Sequence, residues 1–142
     1  MKLPDTRSTS MQETDLEDLH DTYAFVLIMA TIVLTVVGQL FAKSAMLDIG
    51  SIPASLRELP AFAARVYTNW KIIAAFSMAL CASFAWIGAV SRTDISFAYP
   101  FMALAIVLVL VLSPLVFGED VPPVRWVGVL IVCLGLWVAS RG

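Results

Sequence analysis

YAFVLIMATIVLTVVGQLFAKSAML, residues Tyr23 to Leu47, carries a single charge, that of Lys43. A helix of this length reaches across about 30 Å of hydrocarbon at about 1.5 Å per residue. Three further runs share its character: about Trp70 to Val90, about Ile95 to Phe117 and about Val124 to Ser140. Lipid offers no partner to an unpaired backbone N–H or C=O, so an open strand cannot cross it. Barrel strands would alternate in polarity, and none of these runs does. The sequence therefore predicts an all-α membrane protein, a four-transmembrane-helix bundle with spans at about 23–47, 70–90, 95–117 and 124–140.

Composition agrees with this. Of 142 residues, 60% are hydrophobic and 14% charged, against about half and a quarter in soluble domains. Six of the eleven acidic residues fall in the first 21 positions. Residues 1–22 thus read as an acidic polar tail, disordered or in part a short helix over Thr14 to Asp21. This tail lacks the basic start and apolar core of a signal peptide, so no cleaved leader is expected. No block of like charge suggests nucleic acid. Cys81 and Cys133 lie within apolar runs, where cysteine is usually a small buried hydrophobe; neither a disulfide nor a metal is expected. The single histidine, His20, sits in the tail, which excludes histidine-based catalysis within a span. No glycine-rich phosphate loop is present, and no catalytic residue or cofactor is expected.

The connections differ. Between Asp48 and Asn69 lies the one long loop. Within it Leu56, Leu59, Phe62, Ala63, Val66 and Tyr67 recur at helical spacing beside Arg57, Glu58 and Arg65, predicting a short interfacial helix. SRTD and GEDVPP are tight, which makes their flanking spans antiparallel neighbours. Trp70, Trp126 and Trp137 fall near span ends, where indole suits the interface. Four of the cations lie on one side of the bundle and five on the other, so the positive-inside rule leaves orientation open.

Polar groups inside spans are the candidates for function. Thr31, Thr35, Gln39 and Lys43 recur every fourth residue and share one helical face. Lys43 reaches an interface, where it is placed to attract an anionic head group or simply to snorkel. Thr31 and Thr35 can also bond their own backbone, and Gln39 can link two helices. Tyr99 could line a cavity or anchor at the interface. Pro100 beside it permits a helix bend, and Ser113-Pro114 offers a second one. Ala75, Ala79 and Ser83 form a smooth face for close packing, and Gly128 with Gly135 forms another. No Asp or Glu lies within any span, which argues against a proton-coupled carrier.

The run from SRTDISFAYP through FGE at Phe117 to Glu119 and on to RWVGVLIVCLG resembles the closing half of the drug/metabolite transporter superfamily, of EamA-like and small multidrug resistance type. GQLFAKSAM, Gly38 to Met46, is similar to the first span of its short members, in particular the four-span aminoarabinose-phosphoundecaprenol flippase subunits. The resemblance covers about residues 23 to 142. Small multidrug exporters carry a glutamate where this chain has Thr35, and a glycine-valine-glycine kink where it reads Leu104, Ala105, Ile106. Both departures argue against proton-coupled cation export. The resemblance implies a flippase in the bacterial inner membrane for a polyprenyl-phosphate-linked sugar or related glycolipid. Its substrate would be a lipid-linked anionic glycan, bound by Lys43, Gln39, Tyr99 and Thr35. A homodimer, or a heterodimer with a similar four-span subunit, would form through the Gly128 and Gly135 face. The alternatives are a drug or small-molecule exporter of the same fold and an accessory subunit of a membrane glycosyltransferase.

Overall fold

A computed structural model describes the backbone of residues 6–139 and the side chains of residues 22–139. Ser140, the expected end of the fourth run, and residues 1–5 of the acidic stretch lie outside the described residues. Every secondary-structure element among the described residues is a helix: α1 Thr6–Ile49, α2 Leu59–Thr68, α3 Trp70–Val90, α4 Ile95–Phe117 and α5 Pro123–Ala139. Three stretches are long and apolar enough to cross a membrane, Thr22–Ile49 within α1 and the whole of α3 and α4. The α5 helix is equally apolar in character but has 17 residues, about 26 Å at about 1.5 Å per residue. α2 occupies the long loop, where the amphipathic spacing places a short helix.

The helix ends follow local chemistry. α1 stops at Gly50, which has φ 92° and donates its N–H to the Met46 carbonyl at 2.9 Å. Asn69 caps α3, its side-chain oxygen accepting from the Lys71 N–H at 2.9 Å. α4 ends at Gly118, whose left-handed φ of 64° lets its N–H reach the Pro114 carbonyl. Both Pro100 and Pro114 lie inside α4.

α1 is the centre of the bundle. It packs along α3 and against α4, while among the described elements α5 leans on α4. Ile28, Ile32 and Val36 of α1 meet Ala89 of α3 and Ala98 and Ala105 of α4 in the core. Small residues permit the tightest approach. A Cβ added at Gly38 would stand 3.3 Å from the Ala75 carbonyl oxygen of α3. No residue of α5 is buried. Cys81 and Cys133 are free and exposed on helix surfaces rather than buried. Their apolar runs leave most of each helix circumference outside the small core, and the thiols fall on that outer part.

Candidate functional site

Between α1 and α3 lies a cavity of about 860 Å³, open along one side. α2 contributes Val66 to it, and α4 contributes Tyr99 and Met102. Thr31, Thr35 and Gln39 of α1 place their polar stripe along one wall. The opposite wall is Ala75, Ala79 and Ser83 of α3, with Phe76, Trp86 and Ile87 beside them. The face expected to serve for packing is therefore also a cavity wall: Ala75 carries the close contact with Gly38, and Ala79 and Ser83 line open space.

The polar groups are few and differ in freedom. Thr31 is buried, and its hydroxyl donates to the Leu27 carbonyl at 2.8 Å. Ser83 likewise donates to the Ala79 carbonyl at 2.9 Å. Both thereby satisfy their own helix, as hydroxyls in lipid do. Gln39 is exposed. Tyr99 is 60% exposed and its ring packs edge-on against Trp86, centroids 5.3 Å apart. The remaining lining is apolar, which suits a site that must hold or pass a hydrocarbon chain beside a polar head.

Thr35, Gln39 and Tyr99 thus share one cavity, whereas Lys43 does not line it. Lys43 lies one turn beyond Gln39, and its Nζ is 2.8 Å from Glu119 Oε1 in the α4–α5 link. The other carboxylate oxygen of Glu119 accepts from the Ser113 hydroxyl. Lys43, with Ser113 behind it, holds the Glu119 carboxyl below its ordinary 4.5. A second pair lies at the same end of α1: Lys71 of α3 bonds Asp48, and also the Ser44 hydroxyl at 3.0 Å. Added Cβ atoms at Gly128 and Gly135 of α5 would meet nothing within 4 Å, so this face is open within the chain. Among the described residues no cluster of three or more His, Cys, Asp or Glu could hold a metal.

Sequence reading missed Trp86 and Glu119. The first was available from the tight link. Trp86 lies five residues before Ser91 and Tyr99 five after Asp94, so an antiparallel pair brings them level. Glu119 lies outside every apolar run, and its pairing with α1 follows only from how α4 packs.

No family model matches the chain, and no solved structure matches it. It is similar to curated proteins over about four-fifths of its length. One, named "Probable 4-amino-4-deoxy-L-arabinose-phosphoundecaprenol flippase subunit ArnE", is from Pseudomonas savastanoi pv. phaseolicola. It is 25% identical over 117 residues, covering 82% of this chain and 96% of the relative. The protein of the same name from Aeromonas hydrophila subsp. hydrophila is 29% identical over 110 residues, 78% of this chain and 90% of the relative. That from Pseudomonas paraeruginosa is 28% identical over 115 residues, 81% and 95% respectively. The resemblance drawn from GQLFAKSAM and the closing half is borne out, and with the long apolar helices it makes this chain a multi-pass membrane protein.

Proposed function

We propose that this chain is one subunit of a flippase of the bacterial cytoplasmic membrane. It carries the head group of a polyprenyl-phosphate-linked sugar or related glycolipid from one leaflet to the other. The observation that carries the reading is the cavity between α1 and α3, apolar over most of its wall and open along one side. A hydrocarbon tail can stay in the bilayer beside such a groove. The head group meets Thr35, Gln39 and Tyr99, and each offers a hydrogen bond in place of water. Lys43, one turn beyond Gln39, supplies a cation at the level where a lipid phosphate lies.

In this reading α5 is the fourth span. Its 17 residues give about 26 Å, a mismatch of a few ångströms that local thinning of the bilayer absorbs at modest cost. Four helices enclose too little space to wall a polar path completely. The open side of the groove is then closed by a partner, a second copy or a similar four-span subunit, meeting α5 at Gly128 and Gly135. α2 lies in the interface beside the groove.

The test is translocation of a labelled lipid-linked sugar in reconstituted vesicles, scored as protected against exposed head group. Gln39→Leu is expected to slow it, since the head group then crosses an apolar stretch. Lys43→Ala is expected to slow it while protein level stays near normal, and Lys43→Arg to retain more activity because the charge survives. Unchanged rates for Gln39→Leu and Lys43→Ala together would reject this site.

A further inference from the structure

Lys43 and Glu119 form a contact that the groove itself does not account for. Gln39 and Ala42 line the cavity, and Lys43 is the next residue along α1. Its ammonium is taken up by Glu119, from a different part of the chain. Both side chains remain partly open, 48% exposed for Lys43 and 37% for Glu119. Glu119 has another partner to fall back on. Ser113 donates to its second oxygen. The second lysine at this end, Lys71, is already committed to Asp48 and Ser44. An anion arriving at this end of α1 therefore finds in Lys43 a cation whose present counter-ion keeps Ser113 when it leaves.

We infer that Glu119 is an internal counter-ion. It occupies Lys43 while the groove is empty and yields it to the phosphate of a lipid-linked substrate, so the Lys43–Glu119 pair sets the preference for anionic over neutral head groups. A neutral lipid gives Lys43 nothing in exchange for Glu119 and leaves the pair closed. A phosphate gives the Lys43 ammonium another charged oxygen acceptor in place of the carboxylate. The exchange also frees the α4–α5 link from α1, since Glu119 is the residue of that link seen to reach Lys43. This inference rests on the reading of Lys43 as an anion contact, and the test separates the two.

The chain is placed in phosphatidylcholine nanodiscs. Affinity is measured for a fluorescent polyprenyl monophosphate and for the matching neutral polyprenol. A competing internal partner lowers apparent affinity by the fraction of time it holds the site. A partly exposed ion pair holds it for a factor of roughly two to five. Glu119→Gln is therefore expected to tighten the phosphate probe by about two- to fivefold and leave the alcohol unchanged. Lys43→Ala should weaken the phosphate probe, and adding Lys43→Ala to Glu119→Gln should abolish the gain. Ser113→Ala, which keeps every charge and removes the partner left to a released Glu119, should weaken phosphate binding slightly and leave the alcohol unchanged.

Opposite signs for Lys43 and Glu119 are the signature, because a purely structural pair would lower thermal stability in both variants with no gain in affinity. Loss of binding in Lys43→Ala with no gain in Glu119→Gln would overturn the counter-ion role and leave the anion contact standing. Unchanged binding in Lys43→Ala would overturn both. Inorganic phosphate that displaces the probe at equal concentration would overturn the lipid as the source of the anion.

Discussion

Glu119 shows how one ion pair at a helix end ties acidity to stability. The Lys43 ammonium, then the Ser113 hydroxyl, favour its charged form, and its carboxyl is held below the ordinary 4.5. A carboxyl depressed in the folded state contributes stability above its unfolded value, and that contribution is lost as pH falls through the folded value. The window here lies below about pH 4.5. Glu119→Gln is therefore expected to lower the thermal midpoint in detergent at pH 7. The difference from the parent should shrink as pH is taken below 4.5 and vanish once the parent carboxyl is protonated. A difference that stays constant with pH would mean the pair contributes nothing. Around Gln39 the physics is different. This residue is uncharged and on the groove wall, so the proposed function assigns it to translocation, and acid stability does not depend on it.

Among the elements, the α1–α3 crossing decides whether a groove exists. The two helices touch closely where Gly38 meets Ala75 and Met78, and Gln39, Ala79 and Ser83 line the cavity beside that contact. The tight neighbour of Gly38 is a backbone carbonyl, 3.3 Å from where a Cβ would stand, so it yields only if α3 moves. Replacing glycine by alanine inside a helix gains about 1 kcal/mol of propensity, which offsets a tight methyl. Gly38→Ala is thus expected to melt within a few degrees of the parent. Gly38→Leu forces the helices apart and is expected to cost about 1–3 kcal/mol, as overpacking does. Thermal unfolding of the two variants in one detergent checks both. Equal destabilisation by alanine and leucine would mean that the crossing is set elsewhere.

At the scale of the molecule, α5 is the outlier. Among the described elements it touches α4, it buries no residue of its own, and no described atom stands within 4 Å of a Cβ added at Gly128 or Gly135. An apolar helix so sparsely covered fits an assembly with a partner seated on it. Gly128→Leu with Gly135→Leu adds two side chains where nothing in the chain stands within 4 Å. The single chain should therefore keep its helix content and melting behaviour. Cross-linked dimer, or complex with a similar subunit, should fall sharply, because bulk at a close helix contact acts by clash. Assembly equal to that of the parent would place the interface on another helix.

The sequence alone determined that the chain is helical and where the long helices lie, because lipid leaves an apolar run no other way to pair its backbone. The limits of α3 and α4 follow from tight polar links and from Asn69 and Gly118, residues whose local bonding stops or starts a helix whatever surrounds it. The four-residue spacing of Thr31, Thr35 and Gln39 fixed one wall of the groove, since a helix puts such residues on one face. It could not say what that wall looks at. Ala79 and Ser83 read equally well as a packing face and as a cavity wall, and only the distance between α1 and α3 at that height chooses. Lys43 shares the stripe of Gln39, yet its partner is Glu119, 76 positions on (119 − 43). Spacing along a helix reports which residues share a face; which distant residue stands opposite depends on the packing of α4 against α1, and that is settled only when the bundle closes.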